Sequence, residues 1–366
     1  MAPIIRGNSL YTIIDGPSWT QAEANAVKLG GHLTAITSQE EDAFVQGIAN
    51  KYFQNLVFYQ DGTQRYYLRD GQEQSSDIWI GLNDSNHEGQ WEWTSFENVS
   101  YLNDSGLFDD SGLQDYCAIR QIWNWAWDDQ ENTDINNFLF GRGDVRYSGK
   151  VGISEIPFIR RGDSAYVIVQ GPSWEEAEAN AVKLGGHLVT INDAAENEWL
   201  STTYGKQTDI LWIGYSDRIS EGSWKWSDND KSSYTNWNPF HNPVEPNGGA
   251  GENYAAMICH LNPASVRNAL VLATWADIWN TYRSSGLAGI AEMNSHPTTN
   301  QQELQSSLVP QRSVKSSRST RHPYKMLITS LDTPLTTNTP GRFPATEPPG
   351  RNSPRLTLPI TTTPTP

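Results

Sequence analysis

The residues best suited to chemistry in this chain are oxygen donors gathered in one short loop. Glu245, Pro246 and Asn247 are consecutive, Glu252 follows, and the surrounding chain is interrupted by Asn238-Pro239 and Gly248-Gly249-Ala250-Gly251. Two carboxylates and an amide carbonyl so close together suit a hard cation. Calcium fits best, because it accepts about six to eight oxygen ligands at irregular geometry that a loop can supply; magnesium and the transition metals fit less well. No nucleophile stands at a recognisable spacing from a base, and no phosphate loop or acid–base pair emerges, so the chain reads as a binder and not as an enzyme.

The elements that must position this loop are legible from a duplication. Arg6–Thr37 and Arg161–Asn192 are identical at 22 of 32 positions at a constant offset of 155. Each copy reads as strand, turn, helix, turn, strand. Ser18 and Gln21, like Ser173 and Glu176, have capping-box spacing, which starts a helix at Trp19 and at Trp174. Trp19, Ala22, Ala26 and Leu29 share one helical face, with Gly30 as the stop, and the second copy repeats this with Trp174, Ala177, Ala181, Leu184 and Gly185. A second helix is expected over Glu41–Phe53 and, capped by Asn192, over Ala194–Tyr204.

Short strands follow, at Ile78–Leu82 and Leu211–Tyr215, then Trp91-Glu92-Trp93 and Trp224-Lys225-Trp226, whose alternating indoles share a sheet face. Gly152–Ile156 and Gly289–Met293 read as closing strands near the first one. Extra length in the first copy, around Asn55–Ser76 and Asp128–Val145, is expected at the surface. From Asn294 onward Thr, Ser, Pro and Gln dominate, with eight basic and three acidic residues, which reads as a disordered tail.

Composition narrows the function classes. The net charge is -16, so a broad basic nucleic-acid face is excluded. No apolar window is long enough to span a membrane, and the first residues lack the pattern of a secretory signal. Cys117 and Cys259 cannot build a disulfide framework or a four-ligand zinc site, and read as buried, inert thiols.

In order, Gly-Pro-Ser-Trp before a capped helix, Gly-Gly-His-Leu, Trp-Ile-Gly, Trp-x-Trp, Glu-Pro-Asn and a closing Gly-Ile-Ala-Glu resemble the C-type lectin-like domain. Lacking the disulfides usual in animal members, the chain looks like the cysteine-poor bacterial branch. The resemblance implies an α+β fold: two tandem C-type lectin-like domains at 5–156 and 157–293, each with two helices, small antiparallel sheets and a long loop region, before the tail at 294–366.

It further implies a calcium site in the second domain, with Glu245, Asn247, Glu252 and Asn280 as side-chain ligands. Where relatives carry Trp-Asn-Asp, the chain is read as Trp279-Asn280-Thr281, so Thr281 offers only a carbonyl or hydroxyl. Asp277 lies close enough in sequence to reach the same ion. In sugar-binding relatives the same groups hold two vicinal hydroxyls, Glu-Pro-Asn marks the mannose or glucose type, and a cis peptide precedes the proline.

The first domain looks degenerate, with Gln114 in place of Glu252 and Arg142-Gly143-Asp144 in place of Trp-Asn-Thr. Its acids Asp104, Asp109, Asp110, Asp115, Asp128 and Asp129 read as a solvated acidic surface. His32 and His187, at equivalent positions, are expected to share a structural bond to a nearby carbonyl. Of Trp123, Trp125, Trp127, Trp237 and Trp275, most are expected in the core.

The expected function is a calcium-dependent lectin for mannose- or glucose-type glycans or glycoproteins, working in multivalent assemblies at the cell surface or outside the cell. The alternative is a calcium-independent protein-interaction or surface-display module of the same fold.

Overall fold

The computed structural model describes residues 1–55, 59–60, 66–67, 73–74, 77–103, 114–120, 124–132, 147–148, 151–206, 208, 210–240, 242–259, 273–280 and 287–294. The chain separates into units Met1–Gln311 and Arg312–Pro366, and the described residues all belong to the first. Thr281, Trp123, Asp104, Asp109, Asp110, Arg142-Gly143-Asp144 and the sequence after Asn294 lie outside them.

The first repeat runs through β1 (Ile4–Arg6), β2 (Ser9–Asp15), α1 (Trp19–Lys28), β3 (His32–Leu33) and α2 (Gln39–Asn55). After it come β4 (Tyr59–Gln60), β5 (Tyr66–Tyr67), β6 (Glu73–Gln74), β7 (Asp77–Asn83), β8 (Glu92–Trp93), β9 (Tyr116–Arg120), β10 (Ala126–Gln130), β11 (Tyr147–Ser148) and β12 (Val151–Pro157). The second comprises β13 (Ile159–Arg161), β14 (Ser164–Gln170), α3 (Trp174–Lys183), β15 (His187–Leu188), α4 (Ala194–Tyr204), β16 (Ile210–Ser216), β17 (Lys225–Trp226), β18 (Tyr254–Ile258), β19 (Trp275–Ile278) and β20 (Ala288–Asn294).

The two main sheets have the same order, β1-β2-β12-β7-β9-β10 and β13-β14-β20-β16-β18-β19. In each, the closing strand lies antiparallel to the first long strand and parallel to β7 or β16. β4, β5 and β6, in the extra length of the first repeat, make a separate small sheet with β11. The stretch from Asp128 does not belong to a surface insertion: Asp128–Gln130 complete strand β10, and Asp128 and Asp129 are buried.

The helices begin where the caps dictate. Ser18 Oγ accepts from Gln21 N and Ser173 Oγ from Glu176 N, closing the first orphan donors. At α4 the cap is Asp193, one residue later than expected, and its Oδ1 accepts from Glu196 N. Trp19 and Trp174, buried on the inner helix face, send their indole N–H to the carbonyls of Ile80 and Ile213, 2.7 Å away in both repeats. Each helix is thereby pinned to the central strand.

A polar cluster is duplicated behind the sheets. Tyr11 OH donates to Glu155 and lies 3.3 Å from Glu41, which pairs with Arg6; Tyr166, Glu292, Glu196 and Arg161 repeat it. Burial, and then the neighbouring carboxylates, push both tyrosine hydroxyls far up. His32 and His187 bond to the carboxylates of Glu23 and Glu178, at 2.5 and 2.6 Å, instead of to carbonyls. The same glutamates accept from the backbone of Leu33 and Leu188, so the pair staples helix to strand.

The repeats share one apolar core that runs from Ile5, Leu10 and Leu29 to Ala165, Val167 and Leu184. Gly30, at φ +91°, sits against β14 so tightly that any side chain would meet the carbonyl of Ile168. Its equivalent Gly185 has the same backbone sign but open space around it. Phe158 N and Arg160 complete the junction by donating to Asn8 O and Gly7 O.

Candidate functional site

Strand β19 sets the site. It pairs with β18 in the register Trp275↔Met257 and Ala255↔Asp277. Trp275 points into the core, where its indole N–H donates to Asn197 Oδ1 on α4 at 2.8 Å and Trp226, Trp237 and Tyr234 pack around it. Two residues along an extended strand a side chain returns to the same sheet face, so fixing Trp275 fixes Asp277.

Asp277 is buried, and its carboxylate accepts from the backbone N–H of Asn247, 3.0 Å from each oxygen, and of Gly248 at 2.9 Å. It therefore holds the middle of the Glu-Pro-Asn loop. The peptide bonds Asn242–Pro243 and Glu245–Pro246 are both cis, the second as expected from the resemblance. Glu245, only 7% exposed, lies close enough to Asp277 for the two carboxyls to interact. Burial first, then Asp277 and Glu252, push its carboxyl up to about 9.

Asn247 donates its amide to Pro243 O at 3.0 Å, which turns the side chain back over the loop. Glu252 closes the loop from the other end, with Trp279 Nε1 donating to its Oε1 at 2.6 Å. Gly248 is required there, because a Cβ would run into the Glu252 side chain. Glu245, Asn247 and Glu252 thus belong to one loop, with Asp277 beneath it.

Asn280 is not brought to this loop by its amide. Its Nδ2 donates to Glu175 Oε2 at 2.9 Å and its Oδ1 accepts from Glu175 N, at the start of α3. The residue that sequence reasoning undervalued is Asp277. The available signal was the internal repeat: β10 pairs with β9 in the register Trp127↔Ile119 and Asp129↔Cys117, so Trp127-Asp128-Asp129 and Trp275-Ala276-Asp277 are structural equivalents. Among the described residues, no group of three or more His, Cys, Asp and Glu side chains is drawn together as a ready-made metal cage.

In the first repeat Asp129, the equivalent of Asp277, is buried, and its strand neighbour Asp128 is structural, not solvated. Arg120 Nη1 pairs with Asp128 at 2.7 Å, Arg120 Nε with Asp77 at 3.4 Å, and Gln130 donates to both acids. Cys117 and Cys259 are free and buried, and burial pushes the Cys117 thiol well up.

Of the tryptophans outside the repeated motifs, Trp127 and Trp275 are fully buried. The exposed ring near the loop is Trp279, which with Phe240 and Val244 leaves 58, 62 and 57% of these apolar residues in water.

The sequence profile of the Lectin C-type domain matches residues 15–139 and 170–269. The chain belongs to this family and carries its domain twice. Among curated relatives, mouse "C-type mannose receptor 2" is 26% identical over 244 residues, covering 63% of this chain and 14% of the receptor. Mouse "Secretory phospholipase A2 receptor" is 23% identical over 259 residues, covering 65% of this chain and 15% of that receptor. Human "C-type lectin domain family 17, member A" is 32% identical over 102 residues, 28% of this chain and 25% of that protein.

The chain thus spans about a seventh of the receptors it matches first. These relatives are mammalian, so the expected placement in a bacterial branch has no support; they are lectins and receptors, not enzymes. Among solved structures, the cow C-type carbohydrate-recognition domain of CD23 is 25% identical, covers 38% of this chain and 94% of its own, and has a TM-score of 0.31. No described helix is long and apolar enough to cross a membrane.

Proposed function

We propose that the second domain is a calcium-dependent lectin for mannose- or glucose-type glycans, with Glu245, Asn247, Glu252 and Asp277 around the ion. The observation that carries this reading is the place of Glu245: a buried carboxyl beside a second buried carboxyl, Asp277, which holds the same loop, with a third, Glu252, adding repulsion. Such a group is costly in a core unless a cation or a proton neutralises it. All the donors are oxygens, which matches calcium, and the bound ion would supply a Lewis-acidic anchor for paired sugar hydroxyls.

The chain's own residues do the rest. Asp277 keeps the loop in place through the Asn247 and Gly248 amides, while the exposed Trp279 offers an apolar face beside Glu252 for a sugar ring. The Trp279 indole bonds only Oε1 of Glu252, so the second carboxylate oxygen is the one offered to an ion while the ring stays beside the site. On this assignment the strand's Trp275-Ala276-Asp277 takes the place of the family's Trp-Asn-Asp; the asparagine is replaced by Ala276 and the aspartate kept. Asn280, bonded to Glu175, then falls outside the ion's shell. The match to receptor-type relatives supports placement outside the cell or at its surface.

Melting with calcium against chelator, followed by calorimetric titration of mannose and glucose in both conditions, tests the reading. Saturating calcium at about 100 times its Kd adds roughly 2.7 kcal/mol, and single-sugar binding near millimolar Kd corresponds to about -4 kcal/mol. Sugar heat that is unchanged in chelator, or absent in calcium, overturns it.

A second reading, a calcium-independent protein-binding surface, is favoured by the exposed apolar residues Phe240 and Val244 just before Glu-Pro-Asn and Trp279 beside Glu252. Partner capture that survives chelator and fails in Phe240→Ala with Val244→Ala would establish it.

A further inference from the structure

The chain carries three Asn-x-Ser triplets, Asn83-Asp84-Ser85, Asn98-Val99-Ser100 and Asn103-Asp104-Ser105, all in the first repeat. This triplet is the acceptor sequence for N-linked glycosylation, which requires a solvent-facing asparagine. The fold separates the three. Asn83 is buried in β7, where its Nδ2 donates to Glu92 O and its Oδ1 accepts from Ser85, the serine of its own triplet. Asn103 donates its amide to both Asp42 Oδ2 and Trp125 O, so freeing it would uncover the carboxylate that also receives the Trp127 indole.

Asn98 differs on every count. It is exposed, it lies in irregular chain after the turn at Thr94–Ser95, and among the described residues nothing hydrogen-bonds its carboxamide. Val99 packs on the core and Ser100 Oγ donates to Thr37 O at 3.1 Å, so the backbone under Asn98 is held while the side chain is left in water.

Phe96, two residues before it, is 89% exposed and has a φ of +62°. A bulky residue seldom adopts the left-handed region, and a large ring seldom stands so far into water. Here the backbone turns the phenylalanine outward beside the acceptor, where its face can cover the apolar face of a sugar attached at Asn98. A Phe-x-Asn-x-Ser sequence with the ring and the amide both presented is a built acceptor, not a chance triplet.

We propose that Asn98 is the N-glycan acceptor of this chain, with the first sugar stacked on Phe96. The reading rests on the extracellular placement proposed above, but not on sugar binding by the second domain.

The full chain, directed into the secretory pathway of an animal cell with a supplied leader, tests it on the lumenal or secreted material. The expected result is one glycan, seen as a single mobility step removed by N-glycosidase, that is lost in Asn98→Gln and retained in Asn83→Gln and Asn103→Gln. The glycosylated protein melts higher than the enzymatically deglycosylated one, and Phe96→Ala abolishes that gain. Lumenal protein without sugar at Asn98, or sugar mapped to Asn83 or Asn103 instead, overturns the acceptor assignment. A Phe96→Ala effect of equal size with and without the glycan overturns the stacking. Because the leader is supplied, failure of native extracellular placement is read separately, by fractionating the natural source.

Discussion

The carboxylate of Asp277 reaches across from strand β19 to the backbone N–H of Asn247, 3.0 Å from both oxygens, and so ties the Glu-Pro-Asn loop to the sheet. Hydrogen bonds to a charged acceptor are worth about 1.5–3 kcal/mol each when net effects are measured. Asp277→Ala removes the acceptor for two loop amides and leaves them short of partners. We expect a loss of about 2–4 kcal/mol in urea unfolding and loss of the calcium-dependent melting shift. Unchanged calcium response in this variant would detach Asp277 from the site.

Glu245→Gln separates the charge of the site from its shape. The folded carboxyl is raised to about 9, chiefly by burial and then by Asp277 and Glu252, so ionising it disfavours the folded state. Between the unfolded value and that folded value the folded protein holds the extra proton, which makes stability fall as pH rises through this window. The amide removes that dependence. In chelator at neutral pH the variant should be more stable by about 1–3 kcal/mol, while the stabilisation by calcium disappears. A variant that melts lower in chelator would show that the carboxyl is satisfied without an ion.

How far the sequence could be read follows from which interactions are local. Ser18 and Gln21, or Trp174 and Ala177, declare a helix within one turn, and the repeat doubles every such signal. The closing strand β12 was legible because its copy β20 has the same Gly-Ile pattern. Asp277 was harder to weigh because its importance lies in contacts 29 and 30 residues back in the chain, which no local spacing encodes. Asn280 was drawn into the site by standing next to a tryptophan, yet the strand's structural tryptophan is Trp275, recognisable only from its pairing with Met257 and its indole bond to Asn197. Asp128 read as solvated because its partner Arg120 comes from another strand, β9.

His32 gives a pH dependence of the opposite origin. Its hydrogen bond to Glu23 raises the imidazole pKa above its usual value, against a smaller opposing effect of burial. The folded state therefore binds the proton more tightly than the unfolded chain. The resulting stability is fully present below the unfolded pKa, near 6.5, and is lost as pH rises through the folded value. With 41% of the side chain exposed, solvent screening keeps the effect small, under about 1 kcal/mol. Urea unfolding of His32→Asn against the parent between pH 5.5 and 8.5 should show the difference shrinking toward alkaline pH; a constant difference would reduce the pair to packing.

Gly30 and Gly185 test whether the two domains are docked as one body. Both have positive φ, so alanine costs about 1 kcal/mol at either from backbone strain alone. Only at Gly30 would the added methyl also run into the Ile168 carbonyl and Val167 of the second domain. That backbone cannot swing aside as a side-chain tip would, so Gly30→Ala must part the shared core around Leu29 and Val167 or distort β14. Overpacking of this kind costs typically 1–3 kcal/mol beyond the strain. We expect Gly30→Ala to destabilise the protein by that margin more than Gly185→Ala, and to split one cooperative melting transition into two. Equal losses for the two variants, with a single transition retained in both, would mean that the domains do not hold each other through this contact.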